Sequence, residues 1–210
     1  MEAIYELAIN QVKAGRLTDF YTARQIFITQ MKKAEGVGQD GFFESFFTMP
    51  GENETEVFVG VTEWGSSEMF ANAARQLMPT DAFKDYFQTF DQLAYLQVQP
   101  EDGYPFNLQD IMEDGLVVEF AVRKTKAGRE AVFPEKRKGF FDLVAAQNGY
   151  LLDREFVTVD GTTRAVIIAW ESMADFQAAL VVLSQKAEMA DFMSIVEVQA
   201  YQAVQLASNQ

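Results

Sequence analysis

The 210-residue chain contains no cysteine and no histidine. The first absence excludes disulfides and thiolate chemistry, and the two together remove imidazole bases and the usual ligands of zinc, copper and haem. Basic residues are scarce too: 17 Lys and Arg face 31 Asp and Glu, giving a net charge of −14. That balance opposes polyanions, so neither nucleic acid nor a membrane surface is expected as a partner. No run of 18 apolar residues occurs, and Met1-Glu2-Ala3-Ile4-Tyr5-Glu6 lacks a basic start and an apolar stretch. The expectation is a soluble, cytoplasmic protein. Phosphate-cradling, nucleophile-elbow and calcium-loop patterns are missing as well, and Glu52, Glu54 and Glu56 read as an acidic hairpin turn. No metal and no cofactor are expected.

What is present is apolar and repeated. Hydrophobic residues make up 49% of the chain and include 19 Phe, ample for a core. Trp170-Glu171-Ser172-Met173-Ala174-Asp175-Phe176 has an earlier copy in Trp64-Gly65-Ser66-Ser67-Glu68-Met69-Phe70, at a separation of 106 (170 − 64). At that separation Ala73 meets Ala179, Asp85 meets Asp191, Tyr86 meets Phe192 and Tyr95 meets Tyr201. Upstream, Lys13-Ala14-Gly15-Arg16 recurs as Lys126-Ala127-Gly128-Arg129, at a separation of 113 (128 − 15), which carries Phe20 onto Phe133, Arg24 onto Arg137 and Gly36 onto Gly149. The pattern is that of a tandem duplication. Its change of offset falls between Val37 and Glu56, where a loop can absorb seven residues.

Each copy reads in the same order. Period-two alternation through Tyr5, Leu7 and Ile9, and through Val118, Phe120 and Val122, predicts a first strand. A helix follows, capped at Thr18 or Asp19 and ended by Gly36 in the first copy, with Pro134 in the first turn of the second. Two strands then form a hairpin, around Pro50-Gly51-Glu52-Asn53 in one copy and Asp160-Gly161 in the other. Ser66 and Ser172 are predicted caps of a second helix, and Ser172 with Asp175 has capping-box spacing. A short helix and a last strand, near Leu93 to Gln99 and Ile195 to Val204, complete a β-α-β-β-α-β unit. Residues 1–100 and 116–210 are thus two repeats. Residues 101–115 are a connecting segment crossing the surface, anchored by Tyr104, Phe106, Leu108 and Ile111.

A four-stranded sheet covered by helices on one side leaves its other face bare, and here the second sheet is tethered to it. The expected fold is α+β, with two ferredoxin-like repeats packed sheet to sheet as an intrachain pseudo-dimer. Further association of whole chains stays open.

The Trp-x-Ser-x-x-x-Phe segment, its Phe-rich short helix and its last strand resemble the antibiotic-biosynthesis-monooxygenase type of dimeric α/β barrel. The resemblance spans both repeats. In that superfamily the haem-degrading members use a first-strand Asn, a Trp closing the third strand and a His on the second helix. By resemblance the Trp falls on Trp64 and Trp170, but the Asn falls on Ala8 and Ala121, and the His on Ala73 or Ala74 and on Ala179 or Leu180. Haem degradation is therefore disfavoured. The other use of the fold, cofactor-free oxygenation of electron-rich quinols, asks mainly for an enclosed pocket.

Candidate pocket residues are the two Trp and the polar residues sharing a strand face with Ala8 and Ala121: Glu6, Asn10, Glu119 and Arg123. A buried Glu6 or Glu119 would have a raised pKa and could serve as a base; the plainer alternative is an ion pair with Arg123 or a solvated strand end. For Trp64 and Trp170 the plainer alternative is a packing anchor joining the strand to the following helix cap. No residue is assigned as catalytic. Two functions remain: a small-molecule binder, cofactor-independent and monooxygenase-like if an enzyme, acting on a hydrophobic or aromatic compound; or a noncatalytic structural or assembly domain. Because Arg123 replaces Asn10, an anionic ligand is expected to prefer the second half. Residues 1–100 expressed alone should aggregate or dimerise, and a soluble, cooperatively folding monomer by size-exclusion chromatography would contradict the pairing of the halves.

Overall fold

The structure is a computed structural model, and it describes residues 3–49 and 56–205. Its elements run β1 (Ile4–Val12), α1 (Leu17–Met31), β2 (Val37–Met49), β3 (Val57–Trp64), α2 (Ser67–Leu77), α3 (Asp81–Phe87) and β4 (Phe90–Pro100). After a 3₁₀ turn at Leu108–Ile111 come β5 (Val117–Thr125), α4 (Phe133–Ala145), β6 (Tyr150–Thr158), β7 (Arg164–Trp170), α5 (Met173–Leu183), α6 (Ala187–Ile195) and β8 (Val196–Gln205). The predicted turn at Pro50-Gly51-Glu52-Asn53 and the acids Glu52 and Glu54 lie outside the described residues. Among those described, no helix is long and apolar enough to cross a membrane.

The eight strands close into one antiparallel barrel in the order β1-β3-β2-β8-β5-β7-β6-β4. Within each half the order is fourth, first, third, second. The two sheets do not simply lie face to face, because their edges also join at two seams. Residues Phe43 to Met49 of β2 pair with Ala200 to Gln205 of β8, whereas β4 meets β6 only over Val98, Gln99 and Pro100. The difference follows from hairpin length: β2 has 13 residues and its counterpart β6 has 9. Much of the seven-residue offset is therefore spent in lengthening a strand as well as a loop. The outer edge of β4 from Phe90 to Gln97 is left without a strand neighbour among the described residues.

Alternation decides what goes where. Tyr5, Leu7 and Ile9, with Val57, Val59 and Val61 of β3 and Val118, Phe120, Ile167 and Tyr201 from the other half, fill the lumen. The intervening residues face the helices. Most residues of the connecting segment are exposed. Of its four expected anchors, Phe106, Leu108 and Ile111 are buried in the lumen core, and Tyr104, 70% exposed, stays outside. The Tyr5 hydroxyl holds this segment, donating to the Phe106 carbonyl at 2.5 Å and accepting from the Phe106 N–H at 3.0 Å. Its acidic residues keep the segment's exterior wet while three apolar side chains pin it inside.

The local signals hold in part. Ser66 and Ser172 cap α2 and α5, their oxygens accepting from Met69 N and Asp175 N at 3.2 Å each. Helix α1 departs from expectation: it begins at Leu17 behind Arg16 with no side-chain cap, and Asp19 sits inside the first turn, paired with Arg16. Gly36 does not end α1 either. It enters β2 with φ +82°, and a methyl group there would collide with Met69 of α2, as one on Gly149 would with Asp175 of α5.

Among the described residues, register shifts in four of the ladders, and the shift between β1 and β4 bears on the residues that follow it. In β1–β4, Asn10 pairs with Gln92 and Ile9 with Ala94, so Leu93 is an extra, bulged residue. The corresponding β5–β8 ladder runs without interruption. Tyr95 consequently pairs with Ala8 and faces the helices, while Tyr201 pairs with Phe120 and faces the lumen; the two tyrosines are not equivalent. Tyr5→Phe should destabilise the chain by about 1–3 kcal/mol in urea unfolding, since it strands two buried polar groups of Phe106. A change below a few tenths of that would show that the segment does not depend on this hydroxyl.

Candidate functional site

A cavity of about 380 Å³ lies between the helix-facing side of the first-half sheet and α1, α2 and α3. Its floor is Glu6, Ala8 and Asn10 of β1, Gly60, Thr62 and Trp64 of β3, and Gln92, Tyr95 and Gln97 of β4. The roof is apolar: Phe27, Ile28 and Met31 from α1, Phe70, Ala74 and Leu77 from α2, and Phe83 and Phe87 from α3. Met78, 56% exposed, and the partly exposed Tyr95 mark its way out to solvent.

The polar groups are concentrated on the floor. Glu6 accepts a hydrogen bond from Trp64 Nε1 at 3.1 Å and another from the Tyr95 hydroxyl. Burial pushes the Glu6 carboxyl above the usual carboxylate range; those two donors pull it back, and nearby Asp40 pushes it further up. Asp40 is itself neutralised, with Arg24 Nη2 at 3.1 Å and the Thr62 hydroxyl donating at 3.1 Å. The Arg24 guanidinium lies over the Phe42 ring, 3.7 Å from its centroid. Burial raises the Tyr86 hydroxyl to about 12. Asn10 is only 4% exposed, and its Oδ1 has no hydrogen-bond partner among the described residues.

The candidate residues therefore divide. Glu6, Asn10 and Trp64 come together in one cavity. Glu119, Arg123 and Trp170 occupy the same positions of the second half, where the corresponding space is packed. Val166 stands opposite Ala121 where Gly60 stands opposite Ala8, and the larger Phe141 replaces Ile28 at the 113 offset. Both are buried in that half's core. Trp170 packs edge-on against Tyr150 and Phe176. Glu119 accepts from Gln202 Nε2 at 2.6 Å, and burial raises its pKa.

Arg123 is neither solvated nor facing a cavity. It is 3% exposed and ion-paired with Glu155, which also receives Arg137 Nε at 2.7 Å, while Arg137 Nη2 reaches Asp153 at 2.8 Å. Arg164 lies 3.9 Å from the same Glu155. The ladders place Arg123, Glu155 and Arg164 where the first half has Asn10, Phe42 and Phe58. There Phe42 and Phe58 stack at 5.3 Å, and Phe20 stacks on Phe58 at 5.0 Å. A neutral aromatic stack in one half is thus an ion cluster in the other. The charge expected to draw an anionic ligand to the second half is satisfied internally.

Arg24, Asp40, Thr62 and Tyr86 are not among the sequence candidates. The sequence does carry a signal for two of them: Arg24 and Asp40 recur as Arg137 and Asp153 at one offset, and both pairs are salt bridges.

No protein-family model matches the sequence, and no curated protein matches it. Solved structures do. A protein described as anthrone oxidase-like is 10% identical with a TM-score of 0.65, covering 100% of this chain and 95% of that one. A putative monooxygenase from Fusobacterium nucleatum is 12% identical with a TM-score of 0.60, covering 98% and 93%. A mutant chlorite dismutase from Candidatus Nitrospira defluvii is 11% identical with a TM-score of 0.58, covering 98% and 91%. At such identities the likeness concerns the fold, an α+β barrel of the dimeric α/β kind.

Haem, the cofactor of the haem-degrading proteins that the sequence resembles, finds no imidazole or thiolate in this cavity, which offers only the thioethers of Met31 and Met78. The α2 side chains that face it are Phe70, Ala74 and Leu77, and Tyr86 is held in its neutral form, unsuited to act as a tyrosinate ligand. Glu155→Gln should lower stability by about 3–5 kcal/mol, because it leaves Arg123 buried against a neutral partner. Unfolding midpoints close to wild type would mean the cluster is solvated and not the filler of the second half.

Proposed function

We propose that the first-half cavity binds a hydrophobic aromatic molecule with an acidic hydroxyl or methylene, and that Glu6 accepts its proton. The observation that carries this reading is the Glu6 carboxyl, set in an aromatic-walled cavity beside the ion-paired Asp40 and oriented by an indole N–H and a tyrosine hydroxyl. A base whose pKa is lifted above the usual carboxylate range gains driving force for taking a proton. The chemistry is monooxygenase-like and cofactor-independent. Loss of a proton from a ring-flanked methylene leaves an electron-rich anion; dioxygen takes its electrons, the carbon keeps one oxygen atom as a carbonyl, and the other departs as water. The anthrone oxidase-like and monooxygenase descriptions of the structural neighbours support this class. Aromatic walls hold the substrate flat and exclude bulk water.

The architecture is read as a tandem duplication of a ferredoxin-like unit. Support comes from the matched element order, the matched strand order and the offsets that keep Arg24–Asp40 and Arg137–Asp153 in register. In this reading the halves have diverged: one keeps a cavity, and the other is a packed support that completes the barrel.

Glu6→Gln separates the two consequences. Oxygen uptake with hydroxylated anthrones and naphthols should fall by about 10²–10⁴-fold while their binding persists. Because the folded carboxyl has a raised pKa, its favourable neutral state is lost as pH rises through that value. The variant should therefore gain stability over wild type at alkaline pH, with the gap closing below about pH 4, where the carboxyl is neutral in both folded and unfolded chains. Undiminished oxygen uptake, or a gap that grows toward acid, overturns the assignment of Glu6.

A further inference from the structure

We infer that Asn10 and Gly60 form a second subsite of this cavity, one that selects flat ligands carrying a hydrogen-bond donor at the end opposite the group that meets Glu6. The inference rests on the proposed cavity function and names what the ligand must carry. Its first support is Asn10 Oδ1, an acceptor on a side chain 4% exposed, lining the cavity, with no partner among the described residues. A buried acceptor left unpaired is costly, so a ligand O–H or N–H delivered there gains what the folded chain alone lacks.

The second support is Gly60. Its backbone is not in the left-handed region, so no turn or strain demands glycine. A Cβ built there would meet nothing nearer than the Ala8 carbonyl oxygen at 4.0 Å. Glycine inside a strand weakens it, and the second half carries Val166 at the matching ladder position. What the missing side chain leaves in the first half is floor space. With Ala8 beside it, Gly60 makes a smooth strip between Glu6 at one end and Asn10 at the other.

The spacing sets the size of the occupant. Glu6 and Asn10 are four residues apart on one strand face, about 13 Å along β1. A hydrogen bond of about 2.8 Å at each end leaves about 8 Å between the ligand's two polar atoms. That is the reach between opposite substituents of two fused aromatic rings. The expected ligand class is a bicyclic aromatic with a donor at each end. Arg123 in the second half donates where Asn10 accepts, and Val166 covers the strip, so neither half of the subsite survives there.

The test uses the full chain and three probes that differ only at one end: 2,6-dihydroxynaphthalene, 6-methoxy-2-naphthol and 2-naphthol, each titrated by calorimetry. The diol should bind about tenfold more tightly than the other two, because the methyl ether keeps the shape and the oxygen but cannot donate. Asn10→Leu should bring the diol down to the affinity of 2-naphthol for the same variant. Gly60→Val should weaken all three by at least about tenfold. If the three probes bind wild type equally, or if the diol keeps its advantage in Asn10→Leu, the subsite is wrong while the cavity reading stands. If none binds wild type, the cavity reading falls and the subsite with it. The comparison of diol with methyl ether needs no variant, so a poorly folding substitution does not shelter the inference.

Discussion

Closure of the barrel is the constraint that everything else obeys. Each half contributes a four-stranded sheet with one apolar face, and burying both faces requires the edges to meet as well as the faces. Two hairpins of unequal length do this job unequally. The long β2 runs far along β8, while the shorter β6 reaches only the last three residues of β4. Most of β4 is therefore free on one side, and that freedom lets it carry an extra residue. The bulge at Leu93 reverses the faces of the residues beyond it and brings Tyr95 over Glu6. A difference in hairpin length thus connects, step by step, to the chemistry of the cavity floor.

The two halves answer the same packing problem with different materials. Between sheet and helices, one half uses glycine, asparagine and stacked phenylalanines and leaves a void; the other uses valine, a larger phenylalanine and a cluster of three arginines around Glu155. Neither set can be exchanged one residue at a time. Arg123 in the first half would have no Glu155 to face, because Phe42 stands there; Phe42 in the second half would strand the buried Arg123. Coupled substitutions of this kind fix which half is hollow.

Much of the plan is legible in the sequence, because the features concerned are local. Alternation in β1 and β5, the Ser66 and Ser172 caps and the repeated Trp all depend on near neighbours along the chain. So does the placing of Glu6 and Asn10 on one strand face, whereas Trp64, 58 residues from Glu6, joins them only through the pairing of β1 with β3. The rest depends on partners distant in sequence. Arg123 suggests a ligand only while its cross-sheet neighbour Glu155 is unknown, and Tyr95 looks equivalent to Tyr201 because a one-residue bulge leaves no mark on spacing or composition. The cavity itself requires knowing that Gly60 lies opposite Ala8. In the connecting segment the acids mark the exposed side and Phe106, Leu108 and Ile111 the anchored one, but that these three enter the lumen depends on partners such as Tyr5, 101 residues before Phe106.

The bulge at Leu93 also bears on how one molecule meets another. An unpaired strand edge is a template on which a second chain can zip through main-chain hydrogen bonds, and from there into aggregates. Along β4 the extra residue shifts the alternation of donors and acceptors partway down the exposed edge, so a straight incoming strand can match either the portion before Leu93 or the portion after it, and not both. The irregularity that aims a tyrosine inward thereby guards the outside of the same strand against polymerisation.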